Sequence, residues 1–318
     1  MALTDTIRTP AQPMRKLTLG GLVTVVAIAI PFLLDGFQVF QATQVLVLAI
    51  AIMGLNLLTG FSGQFSLGHG AFFAAGAYVT AFFLTDGSFP YVGAVLIAGA
   101  VCFSLGLGFG FPALKLDGIY LALATFSLAV AMPQILKLTI LTEWTGGVGG
   151  LVLAKPEAPA GIPLDADQWL YFVVLAFAAG LYWLVSGLVS GRTGRAFLAV
   201  KDNPLAAQAM GIRVTNIKVL AFGYSAMITG IAGGLSALVT AYVAPDSFTL
   251  FLSVNILVGL VVGGVGFIPG AIIGAIFVHF MPTVADGIYQ GLQGVIYGTV
   301  LIAIMYFAPR GLGGLFRR

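Results

Sequence analysis

The sequence predicts an all-α integral membrane protein with about ten transmembrane helices and both termini in the cytoplasm. Composition, the spacing of apolar runs and the placement of charge each point there. Hydrophobic residues make up 59% of the 318 positions and charged residues 8%, whereas a soluble domain carries roughly a quarter charged residues. Mean hydropathy is +1.06. Such a chain faces lipid over most of its area. Its single cysteine, Cys102, excludes a disulfide within the chain. Two histidines, His69 and His279, leave little material for zinc or general-base chemistry.

A hydrocarbon core of about 30 Å takes about 20 helical residues to cross. Runs of that size lie at 17–34, 39–59, 69–85, 90–111, 118–140, 168–189, 217–241, 250–266, 270–285 and 288–308. The first follows Arg15 and Lys16 and continues to Leu34 with no small-residue cleavage site before Asp35, so it reads as a retained helix. The apolar stretch from Phe251 to Met281 is too long for one helix. It divides at the glycine-rich stretch 263–270. The chain thus reads as a cytoplasmic segment 1–16, a transmembrane region 17–308 and a basic tail 309–318.

Charge tests that count. Starting inside and alternating through ten spans puts twelve of the fourteen Lys and Arg residues in the cytoplasm, with only Lys137 and Lys155 outside. This is the bias expected of cytoplasmic loops. Nine spans would expel Arg310, Arg317 and Arg318. The net charge of +3 is then a consequence of topology, and nucleic acid is not an expected partner.

The 43 glycines form stripes. Gly287, Gly291, Gly294 and Gly298 recur at helical spacing along the last span, and Gly223, Gly230 and Gly234 do so with Ala226 and Ala237 in the seventh. Gly106 and Gly110, Gly259 and Gly263, and Gly270 and Gly274 are further small-residue pairs. Stripes of this kind let helix backbones approach closely, within one chain or against a second membrane subunit. No acidic or basic residue sits at the centre of a span, which disfavours an ion-coupled carrier, a proton relay or a voltage sensor. The chain has no GxxxxGK[ST] phosphate loop and no HExxH or GxSxG constellation, so catalysis and nucleotide binding are not expected of it.

Two segments carry more information. Residues 55–70 place four glycines and several polar side chains between two apolar runs. They read either as a hairpin with Ser66 capping the next helix, or as a polar break where Ser62, Gln64, Ser66 and His69 line or gate a passage. The second segment is the inside loop 190–216. There Asp202 or Asn203 can cap a helix of about two turns, Pro204 suits its first turn, and Gly211 suits its end.

This short helix resembles the coupling helix of ABC importer permeases, with Asp202, Asn203, Pro204, Ala206, Ala207 and Gly211 at the corresponding positions. The family's leading glutamate is absent. More widely, residues 40–315 resemble the branched-chain amino acid permeases of the LivM type. The resemblance rests on LNLLTGFSGQFSLGHGAFFAAGAY (55–78), TGGVGGL (145–151), GRAFLAVKDNPLAAQAMGI (194–212), PDSF (245–248), VVGGVG (261–266) and APRGL (308–312).

It implies an importer permease bundle in the bacterial inner membrane, passing branched-chain amino acids, with urea and short-chain amides as the alternative cargo. It further implies a second homologous permease, two cytoplasmic ATPases that hold ATP and Mg, and a periplasmic or lipid-anchored solute-binding protein. No cofactor is then expected on this chain. On this reading Ala207 packs against an ATPase groove, and Ala207→Glu abolishes transport without affecting insertion.

Overall fold

The computed structural model describes residues 26–85, 89–113, 116, 118–159, 163–288 and 292–316. The segment 1–16 and residues Lys115, Asp117, Gly291, Arg317 and Arg318 lie outside the described residues, as does the start of the first expected span. That span is seen as helix over 26–33.

Eleven labelled helices follow. They are α1 (Gly36–Leu55), α2 (His69–Thr85), α3 (Tyr91–Ala113), α4 (Ile119–Leu136), α5 (Ala166–Ser190), α6 (Arg192–Asp202), α7 (Pro204–Ala209), α8 (Val214–Thr240), α9 (Leu250–Gly263), α10 (Gly270–Ile288) and α11 (Gln293–Phe307). Among the described residues eight helices are long and apolar enough to cross a membrane, and α2 is a shorter apolar one. The division of the 251–281 stretch falls where its glycines allow, with α9 ending at Gly263 and α10 starting at Gly270.

The core is built around α1 and α8. α8 packs on α1, α2 and α3, and both α1 and α8 are buried almost all round. α5 and α11 lie at the periphery with most of their apolar surface outward, as lipid permits. Small residues set the spacing at the centre. A Cβ at Gly76 of α2 would collide with the backbone of Gly230 on α8, and one at Gly233 would strike the Phe73 carbonyl. The pairs noted in the sequence meet each other: Gly259 and Gly263 of α9 face Gly274 and Gly270 of α10. Gly106 of α3 lies on Ala226 and Gly223 of α8.

One glycine stripe is broken. The expected span 288–308 would carry Gly287 to Gly298 on one face, but Gly287 lies in α10, Gly294 and Gly298 lie in α11, and Leu292 before α11 is not helical.

The two ends of the bundle differ. At one end TGGVGGL and PDSF meet: Leu151 and Val152 pair antiparallel with Val243 and Tyr242, and Gly150 lies on Val243 and Ala244. The only two lysines expected outside are both paired at this end, Lys137 with Asp246 and Lys155 with Asp167, each at 2.5 Å. Asp165 forms a capping box with Gln168 that starts α5 here. Residues 55–70, 201–218, 264–269 and 308–314 gather at the other end.

Candidate functional site: a polar bend beside a short projecting helix

α1 does not stop at Leu55. It widens into a π-helix over Asn56–Phe61, leaves helical geometry after Ser62, and returns as α2 at His69. π-Helical turns are rare and concentrate at functional sites. Here the widened turn is held by its own Asn56 and Thr59 side chains and by the Lys201 side chain from α6.

Asn56 is buried and uses its whole amide. Its Nδ2 donates to Phe267 O (3.0 Å), and its Oδ1 accepts from Gly266 N (2.8 Å). That pins the 264–269 turn onto the π-helix. Gly60 lies between them, with no room for a Cβ against Asn56 and Gly266. Thr59 Oγ1 donates to Gln64 O at 3.0 Å and closes the bend on itself.

Of the four proposed pathway residues, all are buried and all are hydrogen-bonded. They fall into two groups. Ser62 and Gln64 form the first: Gln64 Nε2 donates to Ser62 Oγ (2.9 Å) and to Lys218 O (3.1 Å). They line a small cavity of about 180 Å³ with Lys201, Pro204 and Leu121. Ser66 and His69 form the second, deeper between α1 and α8. His69 Nε2 lies 2.6 Å from Ser225 Oγ, and Ser225 Oγ donates to Gly54 O at 2.6 Å.

The network fixes the imidazole tautomer. Ser225 has one hydroxyl proton and gives it to a carbonyl, so His69 Nε2 must be the donor to Ser225. Nδ1 is then an acceptor and takes the Ser66 hydroxyl proton at 3.0 Å, while Ser66 Oγ accepts from Gly68 N at 3.2 Å. Every polar atom is used. His69 is a neutral tie between α1, α2 and α8 in this conformation.

The first N–H groups of a helix have no partner within it, and near α2 hydroxyls from neighbouring helices supply several. Leu67 N donates to Thr125 Oγ1 (2.9 Å) on α4, and Gly70 N donates to Ser253 Oγ (2.9 Å) on α9. Ser66 therefore supports the start of α2, yet it does so as one of several polar groups from separate helices. Asn56, Thr59, Thr125, Ser225 and Ser253 were not singled out by sequence reasoning. The available signal was a polar side chain inside an apolar run. It is weak, because such hydroxyls usually bond their own helix, as Thr229 does to Ser225 O.

The loop 190–216 folds as α6, α7 and the start of α8. Of the two candidate caps Asn203 serves: its Oδ1 accepts from Ala206 N at 3.1 Å, and Pro204 follows at the first helical position. Gly211 has φ +83° and turns the chain out of the helix. Asp202 ends α6 with its side chain exposed.

Ala206 is exposed, but Ala207 is not. The Ala207 side chain is mostly buried within this chain, packed toward α8 and α6 at the floor of an open groove. The outward face is Leu205 and Met210, 79% and 84% exposed. Beside it runs a groove of about 610 Å³ bordered by Arg192, Arg195, Ala199, Asp202 and Met210.

The glycines assigned to helix packing divide likewise. Gly223, Gly230 and Gly234 are filled against α3 and α2, at Leu107, Cys102 and Thr80 respectively. Gly287, Gly294 and Gly298 face open space within this chain.

Known proteins carry the same pattern. The sequence family described as branched-chain amino acid transport system, permease component, matches residues 38–305. The high-affinity branched-chain amino acid transport system permease protein LivM of Salmonella typhimurium is 29% identical over 313 residues, covering 91% of this chain and 72% of the relative. LivM of Escherichia coli K12 gives the same figures. The autoinducer 2 import system permease protein LsrC of Escherichia coli is 30% identical over 183 residues, 54% of this chain and 52% of the relative. No solved structure matches the chain significantly. A helical membrane bundle with this family match along most of its length is a multi-pass transport permease, and the chain belongs to the branched-chain amino acid transport system permease family.

Proposed function

We propose that this chain is the translocation subunit of an ATP-driven importer for branched-chain amino acids. The observation that carries the reading is the juxtaposition of α7 with the bend at 56–69. A short capped helix with an exposed apolar face stands at the same end of the bundle as the polar interruption that follows the well-buried span α1. That arrangement suits a machine driven from one side by soluble partners.

On this reading two ATPases bind ATP and Mg and press on Leu205 and Met210. A solute-binding protein delivers cargo to the opposite end. A second homologous permease completes the passage, and the open face at Gly294 and Gly298 leaves room for close helix approach. Ser62, Gln64, Ser66 and His69 are the proposed gate. All four are buried and bonded, so a passage there opens only when these bonds part. The gate side chains Ser62, Gln64, Ser66 and His69 are uncharged, which fits zwitterionic cargo better than an ion.

The test is uptake by proteoliposomes that contain this chain and its partner subunits, with labelled leucine and urea side by side. ATP-dependent and binding-protein-dependent leucine accumulation is the expected result. Urea accumulation alone would keep the machine and change the cargo. Uptake by this chain without any ATPase would overturn the subunit reading.

A further inference from the structure

The bend is tied to both flanks of α7. On one flank Lys201, two residues before the α7 cap, reaches back 141 positions and donates from Nζ to Gly60 O at 2.6 Å. Gly60 lies in the last turn of the widened helix, where carbonyls run out of backbone donors. On the other flank Gln64 Nε2 holds Lys218 O in the early turns of α8. The stem of Lys201 is also in contact: a Cβ at Gly63, which has φ +74°, would come within 2.9 Å of Lys201 Cγ. No slack separates α6 from the bend.

Nor is there slack between Lys201 and α7. Asn203 N donates to Ala199 O and Ala207 N donates to Asn203 O, both at 3.0 Å, so hydrogen bonding runs through the junction of α6 and α7. Phe197 and Val200 anchor α6 in the core. A push on α7 therefore moves Lys201 with it. Beyond Gly60 the contacts continue, since Gly60 is wedged against Asn56, and Asn56 holds Gly266 and Phe267.

We propose that Lys201 is the positioning residue that transmits movement of α7 to the bend at 60–64, through its ammonium bond to the Gly60 carbonyl. It does not touch cargo. Its ammonium holds the π-helical carbonyl to the driven helix, so that the bend and the 264–269 turn follow α7. This rests on the importer reading above. Gln64 supplies a second tie from the same bend to α8, so the bend is held between the two helices that flank α7.

The experiment uses the full assembled complex in proteoliposomes, with ATP hydrolysis and leucine uptake measured on the same preparation. Lys201→Met keeps the stem against Gly63 and removes the charged donor. Lys201→Arg keeps a charged donor. The expected result is a K201M complex that assembles and hydrolyses ATP within about twofold of wild type, yet moves roughly tenfold less leucine per ATP. That lies within the range of coupling between distant sites, about 5- to 150-fold. K201R should recover most of the ratio.

Three outcomes overturn the proposal. One is an unchanged leucine-to-ATP ratio in K201M. Another is a proportional fall of both activities, or loss of assembly, which would make the ammonium merely structural. The last is failure of K201R to restore the ratio. A wild-type complex with no ATP-dependent uptake would instead remove the importer reading itself, and this proposal with it.

Discussion

Replacing Asn56 by Leu tests whether the π-helical turn is held by its side-chain amide. Leu has the same branching and number of side-chain heavy atoms, though its methyl groups are bulkier, and both amide bonds vanish: the donor to Phe267 O at 3.0 Å and the acceptor from Gly266 N at 2.8 Å. Asn56 is about 1% exposed, so water cannot readily replace them. An orphaned buried polar group costs about 1–3 kcal/mol, and side-chain hydrogen bonds measured in a membrane protein average about 0.6 kcal/mol with a maximum near 1.7. Two lost bonds should then cost roughly 1–3 kcal/mol. In a chain of this size that lowers the melting temperature by several degrees. Asn56→Asp separates the contributions. It keeps an acceptor for Gly266 N but sets a carboxylate oxygen against the Phe267 carbonyl, and it should be at least as destabilised as the leucine variant. The assay is thermal unfolding of the detergent-purified chain followed by size-exclusion recovery. Melting of both variants together with wild type would refute the view that Asn56 clamps the 264–269 turn.

Four further predictions concern other parts of the chain. Leu205→Glu and Met210→Glu, on the exposed face of α7, should leave insertion and melting unchanged while abolishing ATP-dependent uptake; normal uptake would remove α7 as a docking element. Ala207→Glu should instead reduce folded yield, because it sets a carboxylate in this chain's own interior, and a fully stable A207E chain would contradict that packing. Gly76→Val should destabilise by about 1–3 kcal/mol through overpacking of α2 on α8, read as a lower melting temperature, whereas Gly298→Val, facing open space in this chain, should melt as wild type when the chain is alone. Cys102 is fully buried, with its Sγ donating to Phe72 O at 3.5 Å. It should resist maleimide in the folded chain and react fully after denaturation; rapid labelling of native protein would disprove the contact between α2 and α3.

Hydropathy and charge determined that this is a helical membrane bundle and where most spans lie, and glycine placement determined where the 251–281 stretch divides. Those properties are local: about 20 apolar residues cannot stay in water, and glycine-rich stretches turn where they stand. The cap at α7 was legible for the same reason, since Asn203, Pro204 and Gly211 each act within a few residues of themselves. The orientation of Ala207 was not, because the face a two-turn helix buries depends on where its neighbours lie. The gate candidates were visible as a polar break, but their partners were not. Ser225 stands 156 positions from His69, Lys201 stands 141 from Gly60, and Phe267 stands 211 from Asn56. Each of these polar groups is unremarkable on its own helix. Only tertiary packing, with carbonyls and donors left unpaired at one end of the bundle and no water to satisfy them, decided which distant side chains must come to meet them.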